Sequence, residues 1–292
     1  MCAAAIALLL VPLSGPQAVA QERFTAGQNV APVFEGWVRK PDSTFDFYFG
    51  YLNRNWAEEP ILPIGPDNSF SPGPIDRGQP TYFYPRRNEF IFTVNVAADW
   101  GPKQELIWTL TVHGKTDKAY GWLKPEWEID ALLIARNPGN QGGRTPEEIF
   151  ANTPPSIKVE PIQPVKLPNP ATLTASLTDD GLPVPVKRRE ARELDTLVAG
   201  PAPVNVPGYR TPLIPRNDLS VRWIVYRGPA KVVFDPPGYQ AVKGGEGKKS
   251  GKAATIAKFS QPGTYVLRAF AADGVAFSTT DTTVTVESGG SR

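Results

Sequence analysis

The sequence predicts an all-β protein built of two β-sandwich domains. Apolar and polar residues alternate over several short segments, which is the pattern of a strand with one buried face. Proline supplies 32 of the 292 residues, about twice its usual share of ~5%, and proline interrupts helices. The length suits two domains, which we place at residues 21–150 and 151–292. Antiparallel strands with one apolar face have to stack against a second sheet to bury that face.

Residues 1–20 predict export from the cytoplasm. An apolar run over residues 2–13 is followed by Ala18-Val19-Ala20, before the first charge at Glu22. Such a run ending in a small-residue site is typical of a secretory signal peptide. We therefore expect a periplasmic or extracellular protein cleaved after Ala20, with a retained membrane anchor as the alternative. Residues 21–292 contain no cysteine, so the core has to hold the mature chain without disulfides.

The N-terminal domain shows three alternating segments. Residues 44–51, 90–96 and 106–113 each place aromatic or aliphatic side chains on one face. The turn-rich residues 98–102 join the second and third segments and predict a hairpin between them. One helix start is clear at residues 145–148, where threonine can cap, proline takes the first position and acids follow. This pattern predicts a short helix between the domains.

The C-terminal domain contains three telling segments: LPNPATL from Leu167, VRW from Val221 and FSQPGTYVLRAFAADG from Phe259. They resemble the PKD-like modules of immunoglobulin fold that are common in exported bacterial proteins. The resemblance implies that Trp223 lies in the core of a sandwich. It also implies that Tyr265 forms a tyrosine corner, in which the phenol binds a backbone carbonyl a few residues upstream.

The insertion at residues 183–217 departs from that pattern, which normally has a short connection there. Its prolines indicate a stiff, extended excursion, and we interpret it as a docking element. Its candidate contact residues are Arg188, Arg189, Arg192 and Tyr209. The N-terminal domain, with segments such as GWVRKPDSTFDFYFGYLNRNW, resembles an uncharacterised family of exported bacterial proteins. That resemblance implies no activity.

The composition argues against catalysis and against a cofactor. His113 is the single histidine, and no G-x-S-x-G, H-E-x-x-H, P-loop or G-x-G-x-x-G motif occurs. His113 is expected at a solvent-side strand end. Glu126, Glu128 and Asp130 alternate in a way that would suit paired carboxylates on a strand, and residues 179–181 could offer oxygens to calcium. Ordinary surface and turn positions explain both groups, so we predict neither enzyme nor metal site.

Charge is distributed unevenly along the chain. Residues 21–150 hold 13 Lys/Arg against 17 Asp/Glu, whereas residues 151–292 hold 18 against 12. Such asymmetry can orient the two halves against each other or against a partner. The basic residues are too scattered for a nucleic-acid interface, which needs a dense basic stripe. We therefore expect no nucleic-acid partner.

Aromatic residues beside arginines are the strongest candidates for binding in the N-terminal domain. Exposed Trp, Tyr and Arg dominate protein-binding hot spots, and flat rings also hold sugars. The alternative is that these rings fill the core of a domain without disulfides. The candidate contact residues are Trp56, Tyr82, Tyr84, Arg86, Arg87 and Trp100.

The sequence thus predicts a non-catalytic exported scaffold or interaction protein. The expected partner is another protein at the cell envelope, or a membrane-anchored complex for which this chain is an accessory subunit. The alternative is a carbohydrate-binding module for a glycan of the envelope or extracellular matrix. That alternative requires Trp56, Tyr82, Tyr84 and Trp100 to form an exposed coplanar strip.

Overall fold

A computed structural model describes residues 23–136, 145–182, 219–242 and 250–289. Over these residues the chain is all-β and forms two β-sandwiches, which confirms the predicted fold class. The expected signal peptide and the insertion at residues 183–217 lie outside the described residues.

The N-terminal sandwich consists of two three-stranded antiparallel sheets. Its strands are β1 (Val30–Arg39), β2 (Phe45–Asn53), β3 (Asn68–Ser71), β4 (Arg86–Val96), β5 (Leu106–Val112) and β6 (Lys115–Gly121). The strand order is β1-β2-β4 in one sheet and β3-β5-β6 in the other. All three segments predicted from period-two alternation lie in strands, namely β2, β4 and β5.

Aromatic rings fill the space between these two sheets. Phe45, Phe47 and Phe49 of β2 alternate with less buried residues and are at most 4% exposed. Trp108 of β5 is fully buried and meets Phe92 of β4 edge to face, with ring centroids 5.0 Å apart. Large rings bury 150–250 Å² each, so a few of them make a sufficient core without a disulfide.

Short helices connect the sandwiches. A 3-10 turn (Pro125–Trp127) precedes α1 (Ala131–Arg136) and α2 (Pro146–Ala151). The predicted helix start is confirmed: the Thr145 hydroxyl accepts a bond from the Glu148 amide at 3.3 Å, and the Glu148 carboxylate accepts one from the Thr145 amide at 2.8 Å. Within the described ranges, every helix is too short or too polar to span a bilayer.

The C-terminal sandwich contains nine strands in two sheets. They are β7 (Ser156–Val159), β8 (Val165–Lys166), β9 (Ala171–Thr178), β10 (Ser220–Arg227), β11 (Val232–Asp235), β12 (Gln240–Ala241), β13 (Ser250–Phe259), β14 (Gly263–Ala272) and β15 (Phe277–Glu287). The larger sheet has the order β12-β10-β14-β15-β8, and the smaller one β11-β13-β9-β7.

The C-terminal sandwich has two features of an immunoglobulin-like domain. The Tyr265 hydroxyl donates to the Gln261 carbonyl at 2.8 Å, as in a tyrosine corner, and the side chain is fully buried. Trp223 is 5% exposed and packs in the core between the sheets. The positions that the sequence assigned to these two side chains are therefore confirmed.

The outer face of the larger C-terminal sheet is covered by the N-terminal domain. Tyr226 of β10 and Phe270 and Ala272 of β14 point away from their own sandwich core and are 0–2% exposed. They belong to the same apolar cluster as the N-terminal rings, and Phe277 packs against it. The two sandwiches therefore share a hydrophobic core across their interface.

We expect Tyr265→Phe to lower the free energy of unfolding by about 1 kcal/mol, since it removes the hydrogen bond to the Gln261 carbonyl but keeps the buried ring. Chemical denaturation measures this change. Tyr120→Phe is the matched control, because Tyr120 lies on β6 and is 42% exposed. Equal losses from the two variants would contradict the tyrosine corner.

Candidate functional site

The long connection between β2 and β4 reaches the C-terminal domain, and buried side-chain amides fix its course. Asn53, which is fully buried, donates from Nδ2 to the carbonyls of Glu58 at 2.8 Å and Phe83 at 3.1 Å. These bonds tie the two ends of residues 54–85 to the end of β2. A buried carbonyl without a donor is costly, so the amide determines where this connection lies.

Asn68 acts in the same way in the middle of the connection. Its Nδ2 donates to the carbonyls of Leu62 at 3.0 Å and Pro80 at 2.8 Å. Its Oδ1 accepts from the indole N–H of Trp108 at 3.0 Å. Because all three bonds involve a fully buried amide, residues 60–85 are held rigidly against the N-terminal core.

The end of this connection extends along the edge of β10. The Thr81 amide donates to the Tyr226 carbonyl at 3.0 Å, and the Gly228 amide donates to the Thr81 hydroxyl at 3.3 Å. Further along the strand, the Val225 amide donates to the Tyr84 hydroxyl at 2.9 Å. Burial raises the pKa of the Tyr84 phenol, so the group is uncharged at physiological pH.

Charged side chains also cross between the domains. The Arg227 guanidinium binds both carboxylate oxygens of Asp76, at 2.7 and 3.0 Å, and donates from Nε to the Gln79 carbonyl at 2.9 Å. The bonds from Arg227 hold the pKa of Asp76 below its usual value. Lys231 lies 3.0 Å from the Glu59 carboxylate. Bidentate arginine pairs fix geometry as well as charge.

Arg268 is the most buried of these interdomain cations. Its guanidinium lies over the Tyr226 ring, with Cζ 3.5 Å from the centroid. Nη1 donates to the Ile91 carbonyl of the other domain at 2.6 Å, while Nε and Nη2 bind Asp281 at 2.7 and 2.8 Å. The side chain is 11% exposed, so these bonds are made away from bulk water.

A groove remains open beside the contact between residues 81–85 and β10. Its volume is about 520 Å³. Residues from both domains line this interdomain groove, among them Trp56, Glu59, Tyr84, Arg87, Arg222, Lys231, Val233 and Phe234. Val233 is 53% exposed, so one wall of the groove offers apolar surface to solvent.

Arg222 lies at the base of the interdomain groove. It is 8% exposed, and its guanidinium lies 4.7 Å from the Phe270 centroid and 5.1 Å from that of Tyr239. Within the described part of the chain, its Nε has no hydrogen-bond partner. A guanidinium in contact with ring faces is held by cation–π attraction, and Arg222 also hydrogen-bonds to the Tyr239 phenol.

The rim of the groove carries a stack of two arginines on one tryptophan. The guanidinium of Arg23 lies 4.7 Å from the Trp56 centroid, and that of Arg86 lies 4.5 Å from it. Arg86 also donates to the Arg54 carbonyl at 2.9 Å, and the Trp56 amide donates to the Phe24 carbonyl at 2.9 Å. We call these five residues the arginine–tryptophan patch.

The structure brings four of the candidate contact residues together. Trp56, Tyr84 and Arg87 line the interdomain groove, and Arg86 packs on Trp56 at its rim. Tyr82 requires a correction, because it is 2% exposed and its hydroxyl donates to Glu59. Its ring fills the space between the domains, which leaves no surface for a partner.

Trp100 lies elsewhere, in the connection between β4 and β5. The hairpin predicted there is wrong, because β4 and β5 belong to different sheets and do not pair. Its ring meets Phe47 edge to face at 6.0 Å, and its indole N–H donates to the Gln104 carbonyl at 3.3 Å. With Tyr82 buried and inclined by 53° to Tyr84, the coplanar strip needed for sugar stacking is not formed. Arg188, Arg189, Arg192 and Tyr209 lie outside the described residues.

The other polar candidates occupy structural positions. His113 is 43% exposed at the end of β5 and lies 2.8 Å from Glu58. Asp179 and Asp180 accept amide bonds from the turn that follows them, at 2.9 and 2.7 Å. Glu126 and Glu128 do not share a strand face, because the chain forms a 3-10 turn there. The described residues contain no cluster of three or more metal-ligating side chains.

Sequence reasoning missed the arginines of the interface, Arg222, Arg227 and Arg268. A usable signal was present in β14, where Val266, Arg268 and Phe270 alternate with the core residues. A solvent-facing strand face usually carries small polar and charged residues, so bulky apolar side chains on both faces indicate that both are covered.

Comparisons with known proteins give no family for this chain. It matches no protein-family model and no curated protein. Twelve solved chains match by structure. One, titin domains Z1Z2 in complex with telethonin, is 12% identical, with a TM-score of 0.23 over 89% of this chain and 98% of that one. A chimeric titin Z1Z2-Z1Z2 tandem carrying a GRGDS peptide is also 12% identical, with a TM-score of 0.21 over 89% and 100%. Superpositions this poor support no inference about function.

We expect Arg268→Met to lower the free energy of unfolding by about 2 kcal/mol, since charged hydrogen bonds contribute about 1.5–3 kcal/mol each. Asp281 is 37% exposed and returns to water in the variant. Lys252→Met is the control, because that ion pair with Glu160 is 67% and 50% exposed and such pairs contribute at most about 1 kcal/mol. Urea denaturation of both variants gives the comparison, and an equal, small loss would show that the interdomain bonds of Arg268 are dispensable.

Proposed function

We propose that this chain is a non-catalytic, exported interaction protein that binds another protein at the cell envelope. The partner docks on the interdomain groove and on the arginine–tryptophan patch at its rim. The observation that carries this proposal is that Trp56 joins the two surfaces: it lines the groove and is stacked by Arg23 and Arg86.

The composition of this surface favours a protein partner. Tryptophan, tyrosine and arginine dominate the binding energy of protein interfaces. Trp56 and Arg86 are partly exposed, Phe24 is 42% exposed, and Val233 adds apolar surface at 53%. The sugar-binding alternative is less well supported, because Trp56, Tyr82, Tyr84 and Trp100 do not form the flat strip of exposed rings that it requires.

Rigidity of the two-domain body supports the same proposal. The groove has walls from both domains, so its shape depends on their relative placement. Arg227 and Arg268 bind groups of the N-terminal domain directly, and this placement is set before any partner arrives. A preorganised surface loses less conformational entropy on binding, which suits a scaffold or accessory subunit.

Charge indicates the chemistry of the partner surface. Arg23 and Arg54 are exposed, and among the described residues neither they nor Arg86 form an ion pair with a carboxylate. Two guanidinium groups stacked on one indole, with the exposed Arg54 bonded to Arg86 through its carbonyl, attract an acidic segment. Complementary charge speeds encounter and orients the partner. We infer that the partner presents acidic residues beside an apolar side chain that fits against Val233.

We expect Trp56→Ala to weaken retention of the native partner at least about 30-fold, the loss that corresponds to a hot spot of about 2 kcal/mol. The measurement is affinity purification of the tagged full chain from its native envelope, with quantification of the chains that co-purify. Trp127→Ala is the matched control, because Trp127 is 38% exposed and lies away from the groove lining. If both variants retain the same chains equally, the proposed surface is wrong.

Export is a separate part of the proposal and has its own test. It rests on the apolar leader and the small-residue site before Gln21, and on the resemblance of the C-terminal half to PKD-like modules. We expect the mature protein to begin at Gln21 and to fractionate with the periplasm, the medium or the envelope. Mass spectrometry of the purified native protein measures its N-terminus, and an unprocessed chain in the cytoplasmic fraction would contradict export.

A further inference from the structure

A second cavity lies on the other side of the domain interface, away from the interdomain groove. Its volume is about 840 Å³. Strand β4 forms one wall, β14 and β15 form the opposite wall, and α1 and α2 close one end. We call it the junction cavity. The side chains that give it an apolar lining are Tyr48, Phe90, Ile134, Ile149, Val266 and Phe277.

The apolar walls of the junction cavity are rigid. The rings of Tyr48 and Phe90 meet edge to face at 6.0 Å, and Phe277 lies 6.1 Å from the buried ring of Phe270. Burial raises the pKa of the Tyr48 phenol, so this wall carries no charge near neutral pH. Cavities of about 300–1,000 Å³ with apolar walls and a few polar groups, at domain interfaces, are typical ligand sites.

Among the described residues that line the junction cavity, each charged side chain has an opposite charge beside it. Arg227 is bound by Asp76, and Arg268 is bound by Asp281, each through two hydrogen bonds of 2.7–3.0 Å. A charged ligand entering this space would lose its hydration without gaining an unpaired counter-charge, which is costly. The charge balance of the walls therefore selects an uncharged ligand.

We propose that the junction cavity binds an uncharged small molecule with a ring or branched apolar body. This function is additional to partner binding, because the cavity and the interdomain groove have no lining residue in common. A bound molecule would contact both domains and stabilise their pairing.

Two matched dyes test the charge requirement on the full chain. N-phenyl-1-naphthylamine is uncharged and has one N–H donor, whereas 1-anilinonaphthalene-8-sulfonate has the same ring skeleton with an added anion. We expect the neutral dye to bind with one equivalent per chain, and the anionic dye to bind at least about tenfold more weakly. Fluorescence titration measures both. Equal affinities, or tighter binding of the anion, would overturn the proposal.

Thr93→Trp places a large ring in the cavity from its exposed position on β4. We expect this variant to lose the one-equivalent binding of the neutral dye. Lys118→Trp adds the same ring at an exposed position on β6 and should bind as the wild type does, as should Trp56→Ala. Unchanged titration of a folded Thr93→Trp would overturn the site, whereas loss in Trp56→Ala alone would assign the dye to the groove.

Discussion

The outer face of the larger C-terminal sheet is the constraint on which the rest of the structure depends. In most two-domain proteins such a face meets water, but here β14 presents Val266, Arg268 and Phe270 on it. Apolar rings cannot stay hydrated without cost, and a partly buried guanidinium needs partners for its N–H groups. The N-terminal domain supplies both the cover and, through the Ile91 carbonyl, one of those partners. Both cavities arise where this cover is incomplete.

Buried side-chain amides hold a long connection in place in this chain, as disulfides do in many secreted domains. The connection between β2 and β4 carries few strand bonds of its own, yet Asn53 and Asn68 fix its carbonyls at four points. Each bond adds only about 1 kcal/mol. Their effect is directional: they place residues 81–85 at the edge of β10 with a single geometry. Specificity of placement, more than stability, is the contribution of these side chains.

The sequence predicted the strands well, since period-two alternation depends only on local burial. It also located Tyr265 and Trp223, whose environments follow from a recurrent sandwich pattern. It placed Tyr82 wrongly, because exposure of a ring in a connection depends on which surface that connection meets. It treated Glu126 and Glu128 as strand residues, although Pro125 starts a turn there. The interface arginines were missed, since arginine is also common on solvent-facing strands. Only the bulky apolar residues beside these arginines indicate that another domain covers the strand face.

The shared core has a consequence for how this protein can change over generations. Immunoglobulin-like sandwiches are often shuffled between genes, because each one presents a polar exterior and tolerates new neighbours. Tyr226, Phe270 and Ala272 are buried only while the N-terminal sandwich lies on them. A C-terminal sandwich joined to a different domain would therefore expose an apolar sheet face to solvent. The two domains are therefore expected to be inherited as one unit. A substitution in one domain at their interface has to be compensated by a change in the packing residues of the other.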